Sequence, residues 1–349
     1  MKTLLRLLLK SQQQRNRSVP AQTEKGMTLV ELLVGAIMAF LIITPMLGFV
    51  VDMLNTDRRE QVKTNTEQDV QAALDFIAQD LSQAIYIYDN AGITAIRTQL
   101  PSPTNETPIL VFWKRQLQPN ALPVAPPTGP NAPAPSACTQ NATPGTANCN
   151  DTYVLSLVAY YQVRGGTGIW CQPSGGTCPN RIERYQIRDG LKDPRAANPA
   201  TNPYYTAVNP GQAISAAYNP LFDISRPTQN VTTAGASFPP SEVLVNYIDH
   251  SPKPIDSGEC QNALGNPSIT TGATTTQVPE TTLRIPHLPP DTINSFYACV
   301  DTQRNLARVT IRGNSLRRLQ STYADYDASK SAFFPTASVQ VQGLGARGK

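Results

Sequence analysis

The chain has 349 residues, 40% hydrophobic and only 15% charged, with 31 Pro and 21 Gly. That is enough for one or two domains with a core, and it describes a loop-rich chain rather than a helical bundle. The formal net charge of +4 belongs to the N-terminus: residues 1–26 hold six Lys/Arg against Glu24 alone, and residues 27–349 carry 23 basic and 24 acidic side chains. The body therefore has no basic footprint for nucleic acid.

In chain order, a basic segment (Lys2, Arg6, Lys10, Arg15, Arg17, Lys25) precedes the run Lys25–Phe49, KGMTLVELLVGAIMAFLIITPMLGF. The 20 residues from Leu32 to Val51 carry no charge, about the length a helix needs to cross a hydrocarbon core. Gly35, Pro45 and Gly48 inside it are tolerated in membrane helices. A cleaved secretory signal would have a shorter apolar region and a small-residue end. The positive-inside rule places residues 1–26 in the cytoplasm and 52–349 across the membrane. One carboxylate, Glu31, stands at the entrance, where it is costly in lipid. By itself it reads equally well as a tolerated interfacial charge.

From Asn55 to Tyr88 there is no Pro or Gly. Apolar residues fall at Val62, Val70, Ala73, Leu74, Ile77, Leu81, Ala84, Ile85 and Tyr88, one stripe at helical spacing with polar residues filling the other face. One helix is expected from about Met27 to about Tyr88, on the order of 90 Å long, with a kink at Pro45. The stripe is too short for a sustained coiled coil and points to packing on a sheet.

Strands are then expected at Ile93–Thr98, Ile109–Arg115, Tyr153–Arg164, Arg181–Arg188, Val243–Asp249, Phe296–Asp301 and Leu306–Gly313, the last two as a hairpin. Gly168–Cys171 leads into Arg181–Arg188. Long Pro-rich insertions are expected at about 116–151, 192–240 and 252–290. They read as exposed decoration or, more sharply, as a partner-binding surface. The tail 319–349 reads as loose. The fold class is α+β, a long helix packed on an antiparallel β head. The domain order is 1–26, 27–54, 55–90, 91–318 and 319–349.

Six cysteines, Cys138, Cys149, Cys171, Cys178, Cys260 and Cys299, follow the apolar run. An even count outside the cytoplasm suggests disulfides. Fifteen pairings are open, and the local set is Cys138–Cys149, Cys171–Cys178 and Cys260–Cys299. No zinc spacing is present, the histidines being His250 and His287 alone. No hydrolase, phosphate-loop or metalloprotease motif appears. Asp249, His250, Asp256 and Glu259 form the one polar group that could suggest acid–base or metal chemistry. Such a loop after a strand is ordinary, and its carboxylates lack calcium-loop spacing. No catalytic residue, metal or cofactor is assigned.

The stretch Gly26-Met27-Thr28-Leu29-Val30-Glu31 resembles the start of type IV pilins and pseudopilins. Ala73–Asp89 is similar to the helix end of large minor pilins of the PilW type. That stretch, with Arg181–Gly190 and Tyr297–Asn314, resembles the hormogonium polysaccharide secretion pseudopilins of cyanobacteria. The resemblance implies a leader ending at Lys25-Gly26, cleavage before Met27 by prepilin peptidase, and N-methylation of Met27. It implies that Glu31 pairs with the Met27 amine of a neighbouring subunit during assembly. It further implies other pilins and inner-membrane assembly proteins as partners, and residence in the membrane and then in a filament serving motility and polysaccharide secretion. Met27 stands where the family usually has Phe. The alternative is an uncleaved membrane-anchored binding or adhesion protein.

Overall fold

The structure is a computed structural model that describes residues 26, 28–123, 138, 149–193, 196, 203–205, 208–209, 211–252, 255–286 and 295–344. The chain divides into two compact units, Met1–Arg58 and Arg59–Lys349.

Helix α1 runs from Leu29 to Ser82 and includes Pro45. Pro45 has no N–H to offer the Leu41 carbonyl, and beside it the Thr44 hydroxyl donates to the Phe40 carbonyl at 2.8 Å. The helix ends six residues earlier than the apolar stripe suggests, because Ala84–Ile87 is strand β1. Ile-Tyr-Ile favours a pleated surface, and β1 pairs with β2, Ala84 opposite Lys114 and Ile87 opposite Phe112. The expected strand Ile93–Thr98 is instead helix α2, Asn90–Ile96, followed by a 3₁₀ turn at Arg97–Gln99. The Asp89 carboxylate caps α2 by accepting from Gly92 N at 2.7 Å, and Ile93 and Ile96 bury one face. Gly168–Trp170 is a 3₁₀ turn.

Strands β2 (Glu106–Pro123), β3 (Cys149–Val163), β4 (Asn180–Arg188) and β5 (Glu242–Ile248) continue an antiparallel meander, β1-β2-β3-β4-β5. Strand β2 thus runs on into the segment expected to be a loop from 116. A second sheet has the order β11-β10-β9-β8, from β8 (Arg284–Ile285), β9 (Phe296–Asp301), β10 (Leu306–Arg312) and β11 (Thr336–Gln342). The hairpin β9–β10 sits where the sequence places it. The tail is not loose over its described part: β11 pairs along β10 from Arg312↔Thr336 to Leu306↔Gln342.

The insertions are also more structured than expected. Residues 252–290 hold helix α3 (Glu259–Ala263), the hairpin β6 (Ser268–Thr271) and β7 (Thr274–Gln277), and helix α4 (Glu280–Leu283). Glu280 accepts from Cys260 N and Gln261 N at 3.0 and 2.9 Å. From 192–240, Phe222 stacks on Trp113 with ring centroids 3.9 Å apart. That segment is therefore core cover as well as surface. The disulfides are Cys138–Cys149, Cys171–Cys178 and Cys260–Cys299.

The C-terminal part of α1 buries Val70, Ala73, Leu74, Ile77 and Leu81 in one core with both larger sheets. Each large apolar side chain buried there contributes about 1.5–3 kcal/mol. Close approach is possible at Gly313, where an added Cβ would lie 2.6 Å from Thr66 Cγ2. The exception to the apolar stripe is Asp80, which the sequence pattern placed on the polar face and which is buried. Its carboxylate accepts from Lys114 Nζ (2.6 Å), the Tyr160 hydroxyl (2.7 Å) and Arg184 Nε (2.9 Å). These donors come from three adjacent strands, β2, β3 and β4. Burial raises the Asp80 carboxyl, but the charges of Arg184 and Lys114 and the hydrogen bonds from Lys114 and Tyr160 outweigh it. The group is held below its ordinary value of 3.8.

Asp80→Ala leaves two cations without their carboxylate in the interior, so we expect a loss of about 3–5 kcal/mol, read by thermal or urea unfolding of the detergent-solubilised chain. The depressed carboxyl also sets a pH dependence. Its stabilisation is fully present above the ordinary value of 3.8 and is lost as pH falls through the lower folded value. Below the ordinary value of 3.8 the native chain should therefore lose stability more steeply with falling pH than Asp80→Asn, which lacks the titrating carboxylate, when acid unfolding is followed by circular dichroism and each curve is normalised to its neutral-pH stability.

Candidate functional site

The site the sequence singles out lies at the start of α1. Lys25 and Met27 fall outside the described residues; Gly26, Thr28 and Glu31 are described and exposed. Thr28 is the helix N-cap. Its Oγ1 accepts from Glu31 N at 3.3 Å, and its carbonyl accepts from Glu31 N and Leu32 N at 3.0 and 3.1 Å. Thr28-x-x-Glu31 has capping-box spacing, a signal present in the sequence and not used there. Among the described residues the Glu31 carboxylate makes no hydrogen bond, so its charge remains available. It lies in the first turn, where the helix dipole favours an anion.

On both sides of Glu31 the helix exposes apolar side chains, and beyond it they cover every face. Leu29 is 82%, Phe40 71% and Phe49 72% exposed. The apolar part of the helix is unburied. This helix is long and apolar enough to cross a membrane. A helix hydrophobic all round needs lipid or other helices around it.

The polar group at Asp249 serves the fold. Asp249 accepts from Arg312 Nε (2.7 Å), Ser251 N (3.0 Å), Ser251 Oγ (2.5 Å) and Asn314 Nδ2 (3.3 Å). His250 Nε2 lies 3.2 Å from Asp325 Oδ1, and Glu259 accepts from the Tyr297 hydroxyl at 3.3 Å. His287 lies outside the described residues. No group of three or more His, Cys, Asp or Glu side chains that could hold a metal ion occurs among the described residues.

Two surface clefts adjoin β4, one beside Arg184, Gln186 and Arg188 and the other beside Tyr185 of the opposite face. One, of about 240 Å³, is polar, with Gln116, Gln186, Arg188 and Glu242 in its wall. The other, of about 1030 Å³, is open and framed by Pro101, Pro103, Pro239 and Pro240 over Tyr185. At its floor the Tyr185 hydroxyl donates to Glu106 Oε2 at 2.9 Å. Burial raises the Glu106 carboxyl, the Tyr185 hydrogen bond lowers it, and the net direction is upward. Neither cleft converges a nucleophile and a base.

Comparison with protein-family models, curated proteins and solved structures returned no match.

Removing the cap should fray the first turn. Thr28→Ala is expected to cost about 1 kcal/mol of local helix stability, seen as faster amide exchange at Glu31 and Leu32 with no change at Val70–Leu81.

Proposed function

We propose that the chain is a non-enzymatic minor pilin or pseudopilin precursor, with residues 1–26 as leader and Met27 as the first residue of the processed subunit. In this reading prepilin peptidase cuts after Gly26 and methylates Met27. The N-terminus lies in the cytoplasm and the exported part carries the disulfides. The processed subunit moves from the inner membrane into a type IV pilus-like machine that serves motility and polysaccharide secretion.

The observation that carries the reading is the environment of Glu31. An exposed carboxylate without a hydrogen-bond partner among the described residues stands at the mouth of an uncharged, fully exposed apolar helix. In lipid such a charge is costly alone and attractive to a cation. After cleavage the Met27 amine is that cation. Within one helix, four residues give about one turn of separation, so the pair can also form between copies. The same apolar faces that dissolve in lipid can then pack on the helices of neighbouring subunits.

A membrane-anchored binding protein would use the same helix and the same topology, and it has no use for Glu31. The discriminating experiment is Glu31→Ala in the native host. The variant should insert, be processed and accumulate in the membrane at wild-type level, yet fall at least tenfold in sheared filament or surface fractions. Wild-type recovery of the variant from those fractions would overturn the assembly role.

A further inference from the structure

Arg317, in the short helix α5 (Leu316–Leu319), is fully buried. Among the described residues it has no carboxylate partner. Its guanidinium donates to the carbonyls of Thr177 (2.8 Å), Gly175 (2.9 Å) and Gln320 (3.5 Å). Its Nη2 also lies 3.6 Å from Cys171 Sγ. Gly175 and Thr177 belong to the loop closed by Cys171–Cys178. That loop lies against the chain after α5: a Cβ on Gly176, at φ +64°, would fall 1.8 Å from the Ser321 carbonyl oxygen. The arrangement therefore buries a cation against one sulfur of a disulfide and gives it only neutral carbonyls as partners. The two sulfurs differ in setting. Cys171 Sγ faces Arg317, while Cys178 Sγ lies 3.2 Å from the Gly166 carbonyl oxygen, and both cysteines are half-buried. Cys138, Cys260 and Cys299, in the other two disulfides, are buried.

We propose that Cys171–Cys178 is a thiol-exchange site, opened by a dithiol reductant that attacks Cys178 and expels Cys171 as a thiolate against Arg317. A cation beside a sulfur favours the thiolate, and the better-stabilised thiolate is the better leaving group. In the first step the reductant's thiolate bonds to Cys178 Sγ and the Cys171–Cys178 bond breaks, its electron pair leaving on Cys171. In the second step the reductant's other thiol attacks its own mixed-disulfide sulfur. Cys178 leaves and takes up a proton, and the reductant ends as a disulfide. Two electrons pass to the protein, and the buried guanidinium gains the anion it lacks. The inference is independent of the pilin reading, since it rests on the head alone.

The test titrates the full chain in detergent micelles with dithiothreitol, quenches by alkylation and maps each cysteine by mass spectrometry. The wild-type Cys171–Cys178 disulfide should open at about tenfold lower dithiol than the other two. Arg317→Lys should keep that order, and Arg317→Gln should raise the dithiol needed. A merely structural Arg317 gives the opposite sign, because loosening the loop exposes the disulfide and makes it easier to open. A second readout needs no variant: in the reduced wild-type chain, the pH profile of Cys171 alkylation should lie at least one unit below that of Cys178. Opening with or after the other disulfides, easier opening in Arg317→Gln, or coincident profiles would each overturn the proposal.

Discussion

The ion cluster at Asp80 decides how this chain uses its long helix. Three strands that are consecutive in the meander each send one donor, Lys114, Tyr160 and Arg184, to a single helix carboxylate. Apolar packing alone holds a helix on a sheet but lets it rotate or slide by a fraction of a turn at small cost, because dispersion contacts are non-directional. A buried carboxylate with three directed donors has one satisfactory position, since any shift leaves charge unpaired in a low-dielectric interior. The Asp80 cluster thereby sets rotation and height together, and the stripe Val70–Leu81 is presented to the core in that register.

Among the described residues the first part of the same helix has no such partners. From Leu29 to Leu54 it offers apolar surface all round, and on its first turn stands Glu31, a carboxylate with no hydrogen bond among the described residues. A soluble folded protein would bury that surface or do without it. The chain therefore joins a segment that is complete in itself to one that is complete only in another medium. That contrast, rather than any cleft in the head, is the physical ground for reading the molecule as a subunit that moves from lipid into an assembly. The head contributes a sheet framework, three disulfides and surface insertions fastened by aromatic stacking.

Much of this was legible in the sequence, and the failures have physical causes. The apolar run is legible by its length and lack of charge, and the stripe of α1, strands β3 and β4, and the β9–β10 hairpin carry strong periodicity over enough residues to be unambiguous. Ala84–Tyr88 fits a helical stripe and a strand equally well, and pairing with β2 decides it. Ile93–Ile96 is helical because the Asp89 side chain caps it, a local bond that a period-2 reading overlooks. The alternation in Thr336–Gln342 is plain, but the irregular polar stretch before it disguised a strand that β10 organises. Asp80 was placed on the polar face because its partners lie 34, 80 and 104 residues away, beyond any local pattern. Thr28 as N-cap was visible in its spacing to Glu31, and Arg317 was not visible at all, since its partners are backbone carbonyls of a distant loop.

The central claim is that Gly26 and Met27 form a processing junction, and its most direct test is the identity of the N-terminus. Mass spectrometry of the terminal peptide of the protein isolated from its native membrane should find a chain beginning at N-methyl-Met27. A chain that retains Met1 or any part of residues 1–26 would contradict the account and leave a membrane-anchored protein in its place.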